Sequence, residues 1–342
     1  IRAFSETVLN QLTGENDRLF RIVGSEFVLV CEQQDRKSAE QLCKDIMDGL
    51  EALGKELGKE SMAHMGGVAY DPRSTTTSLI SAASEAFEKA RLIGSNAFAI
   101  SDGAENARSL EEWQRLVEKV VNERLFDISF AFQAYSLAPG DENRLVIEEA
   151  LSQVKDEKGQ LVPIGTFISI AETNGRINQF DFKVVEGVLD HIRDSGVQHQ
   201  IAVNLSMSSL GDNNFRRDLF KLLESRPRET KQLTFSITAY AATQHISNFE
   251  SFIAFAHRAG ARVMLKRFES RLIEMDRLGE YQLDFIRLAR HYTEDLTRDS
   301  EKQLLVESMR DIGELLNVAI IAESVDEGEN LDRLKQIGIA AA

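Results

Sequence analysis

The chain has 342 residues, of which 43% are hydrophobic and 28% charged, and its formal net charge at pH 7 is −15. This composition excludes a disordered or fibrous protein and predicts a soluble globular one, with two domains or one large barrel and a smaller module. No run of about 18 apolar residues occurs, which excludes a membrane span within the sequence, and the acidic balance argues against nucleic acid as a partner.

The N-terminal part of the chain alternates between strand-like and helix-like segments. The stretch RIVGSEFVLV, residues 21–30, has two apolar runs around Gly24 and predicts a β-hairpin. Three further segments predict a helix, then a strand with a turn, then a helix, a glycine stop and a strand: RKSAEQLCKDIMDGLEAL at 36–53, AHMGGVAYDP at 63–72 and TSLISAASEAFEKARLIGSNAFAI at 77–100. These elements predict an α/β module with a sheet and packed helices. Gly24 either only turns the chain, or belongs to a turn that once presented carboxylates to a metal or a nucleotide.

A set of motifs in this module resembles the GGDEF domain, the cyclase-like α/β sheet fold of diguanylate cyclases. The matching residues are Arg21 followed by VGSEF at 23–27, GGVA at 66–69, and Ala83, Ala86, Phe87, Ala90, Gly94 and Asn96. The resemblance implies that residues 1–103 form a partial GGDEF domain, N-terminally truncated, with the strand that carries the other metal carboxylate upstream of Ile1.

The departures from the GGDEF motif predict that this domain has lost its chemistry. Val23, Gly24, Ser25 and Glu26 stand where the family has Gly-Gly-Asp-Glu. Val23 adds a side chain where the family's glycine lets the substrate approach, and Ser25 replaces the metal-binding aspartate with a neutral hydroxyl. The family's inhibitory product site needs an arginine at the position of Gly14. The turn is therefore predicted to be structural now.

The remainder of the chain predicts a TIM-like (β/α)8 barrel. ENARSLEEWQRLVEKVVNERL at 105–125 predicts an amphipathic helix, and we assign residues 104–120 to a linker helix between the domains. Eight strand-like segments alternate with amphipathic helices over the rest: FAFQAYSL, RLVIEEAL, QIAVNLS, LTFSITAY, RVMLKRF, LDFIRLA, VAIIAES and IGIAA. Functional groups of such barrels lie at the C-terminal strand ends, which here carry Glu149, Asn204, Ser236, Lys266, Arg267, Arg287 and Glu323.

This second half resembles an EAL domain, the fold of cyclic di-GMP phosphodiesterases. The matching motifs are FQ at 132–133, EAL at 149–151, VPIGTFISIAETNG at 162–175, VNLS at 203–206 and AESVD at 322–326. The resemblance implies an EAL domain at residues 121–342, with its last strand and helix cut short.

The residues at the expected metal positions predict that the EAL domain is inactive. Ser236 and Ala239 replace two glutamates, Lys266-Arg267 replaces two aspartates, Arg287 replaces the catalytic lysine and Ala289 replaces a further aspartate. Only Glu149 and Asn204 remain as oxygen ligands, and they cannot hold the two divalent ions that hydrolysis requires. The sequence therefore predicts no enzyme, no metal and no cofactor.

The basic substitutions predict that the barrel could bind cyclic di-GMP without a metal. Ammonium and guanidinium groups contact phosphate directly. The predicted ligand residues are Gln133, Glu149, Leu151, Asn204, Lys266, Arg267, Arg287 and Glu323. We expect phosphates near the three basic residues and guanine near Gln133 and Glu323, with Lys266 an exposed strand-end lysine. Gln153 in place of the family's arginine and Ala134 in place of its proline predict weak affinity.

The tandem arrangement resembles degenerate GGDEF–EAL regulators, including receptors of the LapD type. Four interpretations remain open: a metal-independent cyclic di-GMP receptor, a protein adaptor, an idle barrel kept for its shape, and a residual phosphodiesterase. The family predicts a homodimer, a protein partner and a membrane anchor outside this sequence. The first domain is either a regulatory surface or a passive remnant. Cys31 and Cys43 are the only cysteines, which predicts free thiols in the cytoplasm, and the six histidines lack ligand-like spacing.

Overall fold

The computed structural model divides the chain into two compact units, residues 1–117 with 160–170 and residues 118–159 with 171–342. It describes residues 1–32, 35–59, 61–70, 74–93, 96–101, 108, 110–141, 144–270, 272–273, 275–293, 296–323, 325 and 328–342. Among these residues no helix combines the length and the apolar character needed to cross a membrane.

The first unit is an α/β module. Its elements are α1 (Arg2–Leu9), β1 (Arg18–Val23), β2 (Glu26–Val30), α2 (Arg36–Glu56), β3 (Met65–Val68), α3 (Thr76–Ile93), β4 (Phe98–Ser101) and the first part of α4 (Leu110–Glu123). The core packs α1 and α2 against the hairpin through Val8, Ile46, Met47, Leu50, Leu19 and Leu29. The helix α1 has no counterpart among the predicted segments. β3 and β4 lie within them, α2 extends three residues beyond its segment, and α3 begins one residue before its segment.

The predicted hairpin is confirmed. β1 and β2 pair antiparallel, with Arg21 opposite Phe27 and Val23 opposite Glu26, so that the turn consists of Gly24 and Ser25. Gly24 has a φ of +56°, a left-handed conformation that glycine adopts without strain. The Arg21 guanidinium Nε donates to the Gly24 carbonyl at 2.8 Å and holds the turn closed.

The family-like residues of the first unit have structural roles. A Cβ on Gly66 would lie 2.0 Å from the Ala83 carbonyl oxygen, because β3 runs directly against α3. Asn96 has a φ of +50°, and its Oδ1 accepts from the Met62 backbone N–H at 2.7 Å. Gly66 thus permits close packing, and Asn96 a tight connection. Both roles serve the fold and do not require a functioning active site.

The helix α4 is anchored in the first unit by its first turns. Trp113 is fully buried, and its indole N–H donates to the Ser81 hydroxyl of α3 at 3.0 Å. The Arg108 guanidinium lies 5.4 Å from the centre of the indole ring. The predicted linker helix at 104–120 overlaps α4, which begins at Leu110, while residues 104–107 lie outside the described residues.

The second unit contains the barrel. Its strands are β5 (Phe126–Tyr135), β6 (Leu145–Val154), β7 (Gln200–Asn204), β8 (Leu233–Thr238), β9 (Arg262–Phe268), β10 (Phe285–Leu288) and β11 (Ala319–Ile321). Its helices are α5 (Ile164–Thr173, shared with the first unit), α6 (Ile177–Ser195), α7 (Met207–Gly211), α8 (Asn213–Ser225), α9 (Pro227–Thr230), α10 (Ala239–Gln244), α11 (Ile246–Ala259), α12 (Arg290–Thr293), α13 (Ser300–Leu316) and α14 (Glu329–Ile337). Short 3-10 turns occupy Met275–Glu280 and Leu296–Arg298.

The seven strands form one curled sheet in the order β11-β10-β9-β8-β7-β6-β5. The final residues close it, because Ala341 bridges Ile321 in the parallel direction and Ser136 in the antiparallel direction. The Ala342 carbonyl accepts from the Tyr135 N–H at 2.7 Å. The predicted TIM-like barrel-type fold is confirmed, with seven strands in its curled sheet. IGIAA, predicted as the eighth strand, supplies isolated closing bridges instead. One feature was not predicted: β5 runs antiparallel to β6, whereas β6 to β11 are parallel.

Local chemistry sets several helix ends of the barrel. Asp212 and Asp299 cap α8 and α13, where their carboxylates accept backbone N–H groups of the first turn. The helix α11 ends at Gly260, which has a φ of +87° and lets the chain turn directly into β9. These short connections place the C-terminal ends of neighbouring strands side by side.

Candidate functional site

A ring of polar side chains lies directly above the apolar interior of the barrel. The interior cluster consists of Ala134, Ile147, Ala202, Met264, Phe285, Ile321 and Ala341. Residues two positions further along a strand share its inward face, so the next inward residues of β6, β7, β9 and β10 are Glu149, Asn204, Lys266 and Arg287. Ser236 on β8 lies opposite Asn204 in register. We call these five residues the polar layer.

Glu149 is the centre of the polar layer. It is 4% exposed, and its carboxylate accepts hydrogen bonds from both basic residues of the layer. The Lys266 ammonium donates to Oε2 at 3.2 Å, and Arg287 Nη1 donates to Oε1. The Asn204 amide donates to Oε2 at 3.5 Å. The buried carboxylate is therefore compensated by protein cations from two different strands.

Lys266 lies between Glu149 and Asn204, the two oxygen ligands that the sequence retains. Its ammonium donates to the Asn204 Oδ1 at 2.6 Å as well as to Glu149. Its side chain is 16% exposed, which corrects the expectation of an exposed strand-end lysine. Burial lowers the pKa of Lys266, while the charge and hydrogen bond of Glu149 oppose this effect.

The polar layer does not fit the divalent metal that the fold family implies. Glu149 and Asn204 supply the carboxylate and amide oxygens of the layer, and both are bound to the Lys266 ammonium. Within the described residues, no group of three or more histidine, cysteine or acidic side chains could hold a metal ion. The two thiols offer no alternative, because burial raises the pKa of Cys43 to about 11 and also raises that of Cys31.

Arg287 and Ser236 contribute buried polar atoms that remain unpaired. The Arg287 side chain is 4% exposed. Its Nε and Nη2 atoms, and the Ser236 hydroxyl, have no hydrogen-bond partner among the residues that the structure describes. Ala239 and Ala289, at the other predicted former acid positions, are buried and carry no polar side-chain atom.

The structure places Gln133 away from the polar layer. Its amide donates to Glu148 Oε2 at 3.1 Å, and the Tyr135 hydroxyl donates to its Oε1 at 2.7 Å. Glu148 alternates with Glu149 along β6 and is also 2.7 Å from His199 Nε2. Gln133 therefore contacts the opposite face of β6 from the one that carries Glu149.

The other predicted ligand residues lie around the mouth of the barrel. Arg267 is exposed and has a φ of +51°, a left-handed conformation that is unusual for a residue with a side chain. Glu323 is half-buried, and its carbonyl accepts from the Thr293 hydroxyl at 2.7 Å. Leu151 is half-buried on β6, where its carbonyl accepts from the Ser129 hydroxyl at 3.4 Å.

The GGDEF-like turn in the first unit is exposed. Gly24, Ser25 and Glu26 are all on the surface, and a Cβ at Gly24 would meet no atom within 4 Å. The side chain of Val23 lies outside the described residues. The turn thus presents a single carboxylate, on Glu26, and a hydroxyl, on Ser25.

Asp181 is a buried acid that the sequence analysis missed. On α6, it accepts from the Ser209 hydroxyl at 2.7 Å and from the Ser206 backbone N–H at 3.0 Å. Ser206 and Ser209 lie two and five residues after Asn204, so Asp181 holds the segment after β7. Burial raises the pKa of Asp181 to about 6, although these hydrogen bonds lower it. The signal was an aspartate between two phenylalanines, Phe180 and Phe182, in an otherwise apolar helix face.

Replacing Asp181 by asparagine should remove a pH-dependent part of the stability. The folded-state pKa is above the unfolded value, so the folded protein binds the proton more tightly and loses stability as the pH rises from about 4 to about 6. We expect the difference in unfolding free energy between wild type and Asp181→Asn to change by about 3 kcal/mol across this range, in favour of the variant at neutral pH. Urea denaturation at a series of pH values measures this difference. A constant difference would contradict the expectation.

Comparisons with known families agree with the fold. The sequence profile of the EAL domain matches residues 122–342, and the profile "Diguanylate cyclase, GGDEF domain" matches residues 4–97. The S helix-GGDEF-EAL structure of Vibrio cholerae LapD bound to c-di-GMP aligns over 99% of this chain and 81% of its own, with a TM-score of 0.66 at 20% identity. The FimX EAL domain of Pseudomonas aeruginosa, bound to c-di-GMP, aligns over 67% of this chain and 92% of its own, with a TM-score of 0.59 at 21% identity. At these identities the likeness shows the fold alone.

The curated relatives include cyclic di-GMP phosphodiesterases and a specificity factor. Cyclic di-GMP phosphodiesterase PdeR of Escherichia coli is 26% identical over 56% of this chain and 29% of its own length. Cyclic di-GMP phosphodiesterase PdeB of Shewanella oneidensis is 23% identical over 95% and 39%. RNase E specificity factor CsrD of Escherichia coli is 21% identical over 94% and 49%. The chain therefore spans less than half the length of each of these relatives.

Proposed function

Because this chain belongs to the EAL domain family and carries a GGDEF domain before its EAL barrel, we propose that it is a catalytically inactive signalling protein whose barrel senses cyclic di-GMP without a metal ion. One observation carries the proposal: the Lys266 ammonium lies between Glu149 and Asn204, at 3.2 and 2.6 Å. A tethered cation thus takes the two oxygen donors that a divalent ion would need. A two-metal mechanism of hydrolysis therefore lacks the ligands for its metal ions.

The charge of the barrel mouth supports an anionic ligand. Lys266 and Arg267 adjoin each other at the end of β9, with Arg267 exposed and Lys266 partly so. Arg287, in the same layer as Lys266, is enclosed and compensates Glu149. We therefore assign direct phosphate contact to Lys266 and Arg267, and a supporting role to Arg287. The expected phosphate contacts of Lys266, Arg267 and Arg287 are thus reduced to those of Lys266 and Arg267.

Calorimetric titration with cyclic di-GMP, in Mg²⁺ and in chelator, tests the proposal. We expect equal affinity in both buffers, and no linear dinucleotide above a control without protein. Lys266→Asp alone should not restore turnover, because Ser236 and Ala239 still leave the second metal without ligands. Binding that requires Mg²⁺, or formation of linear product, would contradict the proposal.

Arg267→Gln provides a sharper variant, because Arg267 is exposed and stands outside the hydrogen bonds of the polar layer. Loss of one charge-assisted phosphate contact should weaken binding by at least about ten-fold and reduce its salt dependence. The matched control is Arg217→Gln on α8, another exposed arginine, which should leave the affinity unchanged.

A protein adaptor is the second candidate function. The observation in its favour is the position of Gln133, whose side chain is hydrogen-bonded to Glu148 and Tyr135, away from the polar layer. If wild type shows no heat with cyclic di-GMP at high protein concentration and low salt, the adaptor function is preferred. Under both proposed functions, the protein acts in the cytoplasm as a homodimer and through a protein partner.

A further inference from the structure

The polar layer contains more buried positive than negative charge. Lys266 and Arg287 face the single carboxylate of Glu149, and the three side chains are 16%, 4% and 5% exposed. Asn204 and Ser236 add no charge. Two cations and one anion leave an excess of one positive charge in a region largely closed to water. Such a charge is costly unless a counter-ion is close.

The Arg287 side chain spans the barrel interior. It starts on β10 and reaches Glu149 on β6, and β9, β8 and β7 separate these strands in the sheet. Ser236 lies on β8, halfway between these two strands in the sheet. Only Nη1 has a partner, while Nε, Nη2 and the Ser236 hydroxyl are enclosed and unpaired within the described part of the chain.

Unpaired buried polar atoms are rare in folded proteins, and three in one layer require an explanation. Arginine Nε and Nη2 can only donate hydrogen bonds, and the serine hydroxyl can donate one. The missing partner is therefore an acceptor. A water molecule could accept these bonds but would leave the excess positive charge unchanged. A small anion accepts them and neutralises the charge.

We propose that the polar layer binds a small inorganic monovalent anion of the halide class, held by Nε and Nη2 of Arg287 and by the Ser236 hydroxyl. These atoms are enclosed, so we assign them to a small spherical anion and not to a bulky phosphodiester. The anion thus forms an internal counter-ion beneath the mouth of the barrel. This inference stands apart from the proposed function, because it does not require a dinucleotide to bind above it.

Crystals of the whole chain grown or soaked in bromide test the proposal directly. Bromide scatters anomalously, so an anomalous difference peak within hydrogen-bond distance of Arg287 and Ser236 is the expected result. Density at this position without an anomalous signal, as a water molecule would give, overturns the proposal. The experiment uses wild-type protein and does not depend on the folding of a variant.

Thermal unfolding in solution gives a second test. At a chloride concentration about five times the dissociation constant, wild type should melt about 2–4 °C higher than in gluconate of the same ionic strength. Arg287→Lys keeps a positive charge but removes the unpaired guanidinium groups, and Ser236→Ala removes the hydroxyl. We expect the chloride response to be lost in the first variant and reduced in the second. Equal responses in wild type and both variants would reflect a general salt effect and would overturn the proposal.

Discussion

Replacing Glu149 by alanine should lower the unfolding free energy of the barrel by about 3–5 kcal/mol. The substitution leaves Lys266 and Arg287 as two buried cations that repel each other and have lost their shared carboxylate. The measurement is chemical denaturation followed by far-UV circular dichroism. Trp113, the only tryptophan, lies in the first unit, so its fluorescence identifies the transition of that unit and separates it from that of the barrel.

Two further variants show whether charge is the cause. Glu149→Ala combined with Lys266→Met removes one cation together with the carboxylate, and should recover part of the loss because an apolar side chain can replace a buried ion pair at little cost. The matched control is Asp218→Ala, whose partners Arg217 and Lys221 are exposed, and which should cost less than about 1 kcal/mol. If Glu149→Ala costs no more than this control, the polar layer does not depend on its carboxylate.

Replacing Trp113 by alanine should destabilise the first unit by about 3–5 kcal/mol. The indole is fully buried and binds both Ser81 and Arg108, so the substitution creates a cavity and leaves the buried Ser81 hydroxyl without its donor. Circular dichroism measures the effect, because the variant has no tryptophan. We expect the transition of the first unit to shift and that of the barrel to stay in place.

Trp113→Phe is the matched control for this cavity. It keeps a six-membered aromatic ring but loses the pyrrole ring, whose N–H donates to Ser81, so it leaves a smaller cavity and should cost about 1–3 kcal/mol. If Trp113→Ala instead shifts only the barrel transition, the assignment of the Trp113 side chain to the core of the first unit is wrong. A deletion of residues 1–103, which retains Trp113 but removes Ser81, should leave an exposed indole and is a poor way to isolate the barrel.

The sequence predicts most of the barrel because its signals are local. Apolar periodicity identifies a strand and its inward face. Capping residues such as Asp212 and Asp299 mark where helices begin. The direction of β5 has no such local signal. Its apolar pattern is compatible with either direction, and only the pairing of Phe126 with Val154 distinguishes them.

The position of Gln133 could not be predicted, because it depends on an irregularity in the strand. The register of β5 on β6 shifts between Ala131 and Ala134, and Phe132 has a φ of +52°. A bulge of this kind changes the face on which following side chains lie, and no alternating pattern records it. The motif FQ therefore identifies the family but not the contacts of its glutamine.

The sequence predicts which positions belong to the site. It predicts the contacts between their side chains only in part. Glu149 and Lys266 lie 117 residues apart, and the strand-end rule of the barrel brings them together. The rule does not say that a lysine at the rim will turn inward. Lys266 does so because a buried carboxylate and an amide oxygen lie within its reach. Its burial follows from its partners, and a single position in the sequence does not show them.

The antiparallel direction of β5 determines the end at which the chain enters the barrel sheet. Phe126, the first residue of β5, pairs with Val154 at the C-terminal end of β6, which is the end that carries the ligand candidates. From there, Ala131 opposite Glu149 is five residues away, or about 17 Å along an extended strand. A parallel first strand would start at the far end of the barrel. As built, the residues just before Phe126 lie at the same end of the sheet as the ligand candidates, five residues from the backbone opposite Glu149.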